Sequence, residues 1–292
     1  MAEKKCSDNR YSFSLRKLKY FASGLLSDLG IETAQLDVRI LLEHVLGYDH
    51  QESFFYPERM MTSEQETQFL KLLKRRMCFE PIAYIIESKE FFGYDFKVNS
   101  RCLIPRPDTE CVVEQCLSRL KSGDRVYDIC TGSGVIAITL LRECPQITAV
   151  ASDLSQQALD IASINAHKLG VADRIDMRCG DLFAPFGPME QAQLVVANPP
   201  YIGQEDYENL SATVRKFEPE MALKAGDEEG IVFYRRLLSD ALRHLVSSGY
   251  LVLEIGFNQA HLIKSLVSEY WRDCQVIKDL AGNDRVIVLQ KK

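Results

Sequence analysis

Four short stretches carry residue types able to do chemistry. The richest is Val195-Val-Ala-Asn-Pro-Pro-Tyr201, which follows an apolar run directly. Asn198 offers a carbonyl acceptor and an amide donor. Pro199 and Pro200 lack backbone donors, so this turn presents rigid carbonyl acceptors. Tyr201 adds a flat aromatic face. Two acceptors and a ring suit a planar –NH2 group: each N–H finds an oxygen, and the ring stacks on the plane. The plain alternative is a proline turn with a core tyrosine. Two adjacent prolines straight after a strand weigh against it.

Val126-Tyr-Asp-Ile-Cys-Thr-Gly-Ser-Gly134 sits where a strand hands over to a helix. Glycines there let the backbone approach a ligand, and a helix N-terminus favours anionic or carboxylate groups. It is not the dinucleotide fingerprint, because Ala137 takes the place of the third glycine. No Gly-Lys-Ser/Thr follows to make a phosphate loop. Taken alone, a ligand cradle and a bare tight turn fit it equally. Asp153 closes Val150-Ala-Ser-Asp153, roughly 20 residues beyond the loop, where an acid can bind both hydroxyls of a ribose. It can also cap the helix starting near Ser155. Gly180-Asp-Leu-Phe183 follows the next apolar run, and Asp181 there can accept from an adenine amino group or make a surface turn. Three such loops at strand C-termini imply an adenosine-containing cofactor. Asp128 lies close to the glycine loop and disfavours a phosphate, so S-adenosylmethionine fits better than NAD.

These residues need strands to carry them. Short apolar strands are expected at 126–129, 148–151, 175–178, 194–197, 250–255 and 286–289, with helical stretches between most of them. That alternation implies a parallel α/β sheet covered on both faces. Gly282-Asn283 is a turn signal and predicts a terminal hairpin with an antiparallel edge strand. Upstream, the first 85 residues read as helical. Leu15, Leu18, Leu25 and Leu26 keep helical spacing up to Gly30, and Val38, Leu41, Leu42 and Val45 do so up to Gly47. A third helix is expected to open with a Ser63/Glu66 capping box, to use Phe69, Leu70, Leu73 and Met77, and to stop before Pro81. Phe91 to Val98 predicts a hairpin around Gly93. In Ile104-Pro-Arg-Pro-Asp-Thr-Glu110 the prolines fix an extended lead-in, and Asp108 or Thr109 is expected to cap the helix that follows. The expected organisation is a helical bundle over 1–85, a hairpin linker over 86–104 and an α/β domain over 105–292.

Composition narrows the class. The chain has 292 residues, 46% apolar and 26% charged, which excludes disordered, collagenous and coiled-coil proteins. No apolar run approaches the ~20 residues of a membrane span, and the N-terminus lacks an apolar signal core. The net charge of −6 falls entirely after residue 85, since residues 1–85 hold 12 Lys/Arg and 12 Asp/Glu. An acidic main body is a poor polyanion binder. The run Lys71-Leu-Leu-Lys-Arg-Arg76 reads as a solvated helix face. Nine cysteines form no Cys-x-x-Cys pair, and the five histidines (44, 50, 167, 244, 261) make no two-His helical pair. Reduced, buried cysteines in a cytoplasmic protein without a metal site are therefore expected.

At 198–201 the chain resembles amino-methyltransferases of the Asn/Asp-Pro-Pro-Tyr class. Residues 82–110, with Glu-Phe-Phe-Gly and Ile-Pro-Arg-Pro-Asp-Thr-Glu, narrow the resemblance to the PrmC/HemK family. The likeness runs from about Leu36 to the end and takes in Phe217-Glu-Pro219, Leu253-Glu-Ile-Gly256 and Lys278-Asp-Leu-Ala-Gly282. It implies a seven-stranded Rossmann-like class I methyltransferase sheet behind a small N-terminal helical bundle that recognises the substrate. It also implies methylation of the glutamine in the Gly-Gly-Gln loop of peptide chain release factors. By position, Cys130, Thr131, Gly132, Ser133, Gly134, Asp153, Asp181, Leu182 and Asn198 would hold S-adenosylmethionine. Asn198, Pro199, Pro200 and Tyr201 would clamp the glutamine amide, with Asn198, Pro199 and Tyr201 catalytic. Cys130 and Glu87 depart from the family, which often has glycine at both positions. Cys130 is expected to pack behind the loop; nothing supplies the base a catalytic thiol needs.

On this reading Asn198 and the Pro199 carbonyl hold both N–H groups and aim the nitrogen at the methyl, an alignment able to lower a barrier by ~7–11 kcal/mol. Tyr201 fixes the amide plane, and no strong general base is required. The rivals are methylation of a ribosomal-protein glutamine, adenine-N6 methylation of a flipped or single-stranded base, and a non-catalytic nucleoside binder on the same fold. A monomer acting on a protein, with no direct nucleic-acid or membrane partner, is the expectation.

Overall fold

The computed structural model describes residues 14–47 and 58–292. Cys6, His50 and the opening of the expected bundle lie outside the described residues. The chain divides into two compact units, Met1–Ile86 and Glu87–Lys292. Among the described residues no helix is long and apolar enough to cross a membrane.

The first unit holds helices α1 (Leu15–Asp28), α2 (Ala34–Leu46), α3 (Ser63–Met77) and the single turn α4 (Ile82–Ile85). Leu18, Ala22 and Leu26 of α1, Val38 and Leu41 of α2, and Phe69 and Leu73 of α3 form one core. These are the i, i+3/i+4 positions of each helix, so one face of each meets the others. The chain turns at Gly47, whose left-handed backbone ends α2. Arg76 binds Asp37 at 2.7 Å and ties α3 to α2. Two details differ from expectation. The capping box is Thr62/Gln65, one residue upstream of Ser63/Glu66: Gln65 N–H donates to Thr62 Oγ1, and Thr62 N–H donates to Gln65 Oε1. Both readings satisfy the spacing, and Thr62 takes the extended backbone a cap requires. Leu70 faces solvent, and Leu72 takes its place in the core.

The second unit opens with a hairpin of β1 (Ser88–Phe91) and β2 (Tyr94–Lys97). Phe92 and Gly93 both have positive φ, 53° and 76°, as the tight hairpin turn demands. Helix α5 (Glu110–Leu117) follows a turn of 3-10 helix over Pro107–Thr109. Neither Asp108 nor Thr109 caps it by a side-chain bond. Asp108 instead reaches Arg285 at 3.2 Å.

The main sheet then alternates with helices: β3 (Arg125–Ile129), α6 (Val135–Glu143), β4 (Thr148–Asp153), α7 (Gln156–Lys168), β5 (Ile175–Cys179) and β6 (Ala192–Ala197). After two one-turn-and-a-half helices, α8 (Gln204–Asn209) and α9 (Ala212–Phe217), come α10 (Val232–His244), β7 (Leu245–Glu254), α11 (Ala260–Ser265), β8 (Trp271–Lys278) and β9 (Asp284–Lys291). The seven strands lie in the order β5-β4-β3-β6-β7-β9-β8. Only β9 is antiparallel to its neighbours. Alternate residues feed two cores: Val126, Leu194 and Val252 face α5 and α6, while Tyr127, Val195 and Leu251 face α10. The final strand is interior, between β7 and β8. The edge is β8, which the sequence pattern missed because much of it is half-exposed and charged.

Candidate active site

Register brings the chemistry-bearing loops together. Ile129, at the end of β3, pairs with Ser152 of β4 on one side and Ala197 of β6 on the other. Asp153 pairs with Cys179, and Ala197 pairs with Leu253 of β7. The loops after β3, β4, β5 and β6 therefore leave one sheet edge side by side, at the point where the strand order reverses. They border a cleft of about 980 Å³, counting its open mouth. Cys130, Thr131, Gly132, Ser133, Asp153, Asp181, Leu182, Asn198 and Pro200 line it. Gly134, Pro199 and Tyr201 are not among the lining residues. Gly134 caps α6, and Tyr201 packs against the core.

Asp153 ties the glycine loop to the start of α7. One carboxylate oxygen accepts from Gly132 N–H at 2.8 Å and the other from Ser155 N–H at 2.9 Å. Each oxygen keeps further lone-pair capacity, the arrangement that a pair of ribose hydroxyls needs. Ser155, not Asp153, caps α7. Asp181 accepts from Arg236 of α10 at 2.7 Å, a partner the sequence did not announce. These residues fit S-adenosylmethionine: an acid for the ribose, a glycine turn for close approach, and a largely apolar cleft.

Cys130 has φ 62° and Glu87 has φ 54°. Both positions, where the resemblance led to an expectation of glycine, are thus left-handed here and occupied by residues with a Cβ, at about 1–2 kcal/mol each. Burial, followed by Asp153, Asp128 and Asp181, pushes the Cys130 thiol well above its ordinary value. A thiolate is disfavoured, which supports packing over nucleophilic chemistry.

The 198–201 segment is held from behind. Gln259, buried, donates through Nε2 to the Tyr201 carbonyl at 2.8 Å and to the Glu229 carbonyl at 2.9 Å. Its Oε1 accepts from Gly256 N–H at 3.0 Å. Ile202 N–H donates to the Leu223 carbonyl at 3.0 Å, and Ala225 N–H donates to the Ile202 carbonyl at 2.9 Å, across the same loop. Burial pushes the Tyr201 phenol up to about 12, so it stays neutral. Across the cleft, Glu218 accepts from Arg106 at 2.6 Å and from Ile104 N–H at 3.3 Å, joining the 104–106 strap to the 217–219 segment. Arg285, largely buried, bridges Asp108 and Asp279. These links give physical roles to Arg106, Asp108, Glu218 and Asp279, whose motifs were visible in the sequence but whose partners were not.

Asp128 lies fully buried under the glycine loop. It accepts from Thr131 Oγ1 at 2.6 Å and from Ala137 N–H at 3.1 Å. Burial raises its pKa from 3.8 to about 7. The folded chain therefore holds a proton that the unfolded chain has released between those values. Its stabilising contribution is full below about pH 4 and is lost as pH rises through 7, with a slope of up to ~1.4 kcal/mol per pH unit. Asp128→Asn is expected to fold and to flatten that slope by one proton. Denaturant titrations from pH 4 to 8 test this, and an unchanged slope would assign the proton elsewhere.

A parallel sheet with one antiparallel strand next to its edge, and an acid at the end of its second crossover strand, define an S-adenosylmethionine-dependent methyltransferase. A crystal structure of a methyltransferase from Pyrococcus furiosus shares the fold, with a TM-score of 0.53 at 16% identity over 79% of this chain and 99% of that one. Residues 109–222 match the methyltransferase small domain, and residues 20–86 match the PrmC N-terminal domain. The release factor glutamine methyltransferase of Rhodopirellula baltica is 33% identical over 98% of this chain and 99% of its own length. That of Nitratidesulfovibrio vulgaris is 38% identical over 95% of each. The chain belongs to the release factor glutamine methyltransferase family.

Proposed function

We propose that the enzyme methylates the side-chain amide nitrogen of the glutamine in the Gly-Gly-Gln loop of peptide chain release factors, with Asn198 and the Pro199 carbonyl as the clamp. The carrying observation is that Asn198 lines the same cleft as Asp153 and the glycine loop, on a segment pinned by Gln259. S-adenosylmethionine supplies a sulfonium-activated methyl, so the difficult partner is the amide, whose nitrogen lone pair is delocalised. Asn198 and Pro199 offer the acceptors that take both N–H groups and fix the nitrogen's direction. The Tyr201 ring, packed against the core, anchors the segment that carries Asn198. Asp153 holds the ribose, and Cys130 to Ser133 approach the cofactor through backbone. The helical unit recognises the release factor, and the enzyme works as a cytoplasmic monomer without direct contact to nucleic acid.

The test is transfer of a labelled methyl from S-adenosylmethionine to purified release factor, beside a variant with that glutamine replaced by alanine, ribosomal protein and nucleic acid. Label on the wild-type factor alone is expected. Label on ribosomal protein or nucleic acid instead would overturn the substrate.

A further inference from the structure

Glu254 ends β7 and is 1% exposed. Its neighbour Leu253 pairs with Ala197, the residue before Asn198, so the two polar side chains leave adjacent strand ends. The rest of this stretch, Leu251, Val252, Leu253 and Ile255, is buried and apolar. A carboxylate here is costly, and the sheet does not require one. The Thr109 and Asn198 side chains lie close enough to its carboxylate to favour the ionised form. Oε2 has no partner among the described residues. Burial pushes the acid up to about 7; Arg285 pulls it down and Asp108 pushes it up. Tyr234, from α10, donates to the Glu254 backbone carbonyl at 2.8 Å and fixes the strand end.

An asparagine amide has two chemically opposite ends in nearly the same shape. To accept an N–H from a substrate, Asn198 must present Oδ1 and send Nδ2 elsewhere. An ionised carboxylate only accepts, so it selects the Nδ2 end. We propose that Glu254 is a positioning residue for Asn198: its carboxylate takes the Nδ2 end of that amide and turns Oδ1 toward the substrate nitrogen. This rests on the amide-clamp reading above and deepens it. Loss of Glu254 leaves Asn198 in place but free to present the wrong end, where a donor would face a donor.

A double-mutant cycle on methyl transfer tests it. Glu254→Leu is expected to lower kcat about 10²-fold, the cost of a misdirected group, with little change in KM or cofactor affinity. Glu254→Gln keeps a carbonyl acceptor for Nδ2 and is expected to retain most activity. In an Asn198→Ala background, Glu254→Leu is expected to add no further loss. Wild-type kcat in Glu254→Leu, equal losses in both backgrounds, or a Glu254→Gln variant as weak as Glu254→Leu would overturn the assignment. A second measurement needs no substrate. The side-chain N–H resonances of Asn198 in 15N-labelled protein are expected to shift upfield and exchange faster with water in Glu254→Leu than in Glu254→Gln, and unchanged resonances would equally overturn it. Failure of the wild type to methylate release factor sinks the substrate alone and leaves the resonances to judge Glu254.

Discussion

Asn198→Ala is expected to reduce kcat by about 10²–10³-fold, the usual cost of deleting one preorganised group at a reacting centre. Cofactor affinity is expected to stay close to wild type, because the proposed reading gives the ribose to Asp153 and the rest of the cofactor to the loop of residues 130–133. The argument is one of direction. Residue 198 begins immediately after the last residue of β6, so its Cα is fixed by the strand, and Pro199 and Pro200 remove two backbone freedoms beyond it. Alanine preserves that path and removes only the side-chain acceptor. Single-turnover transfer and calorimetric binding of S-adenosylmethionine separate the two quantities. Equal losses in both would mean that Asn198 serves the cofactor and does not clamp an amide.

Gly230→Ala is expected to be nearly as damaging, although residue 230 lies outside every motif read from the sequence. A Cβ at Gly230 would stand 2.0 Å from the Tyr201 carbonyl oxygen, 2.5 Å from Gln259 Nε2 and 2.9 Å from the Tyr201 carbonyl carbon. Two of these are backbone atoms, so the clamp segment itself must move, and a shift of about 1 Å can cost 10²-fold. Residue 230 also has φ 72°, which adds about 1–2 kcal/mol of backbone strain for an L side chain. Gly226→Ala supplies the control. That position has φ 93° but nothing within 4 Å of the added carbon. It should lose comparable stability and keep kcat. If both variants melt earlier by the same amount and keep kcat, the contact with Tyr201 does not position the clamp.

The fold was legible where the hydrophobic pattern is strong. Apolar strands ending in glycine, aspartate or asparagine, separated by helical runs, leave little besides a parallel sheet with ligand loops at one edge. The resemblance of the Asn-Pro-Pro-Tyr and Pro-Arg-Pro-Asp-Thr-Glu strings narrowed the chemistry further. Local rules worked less well where two neighbours satisfy the same rule. Thr62 and Ser63 both head a capping-box spacing, and Leu70 and Leu72 both approximate the apolar stripe of α3; only packing chose between them. β8 escaped notice because an edge strand needs only one covered face and so lacks a continuous apolar run.

What the sequence supplied by itself is the fold and the candidate groups for a cofactor and an amide, because their chemistry is carried by residue type and by position after a strand. What only the tertiary structure decided is how those groups are held. Gln259 reaches back 58 positions to the Tyr201 carbonyl, Arg106 meets Glu218 112 positions on, and Glu254 ends β7 beside the end of β6 that carries Asn198, because the two strands are neighbours in the sheet. Such partners leave no spacing signal. They are fixed by strand order and register, which depend on how all seven strands bury their two faces at once.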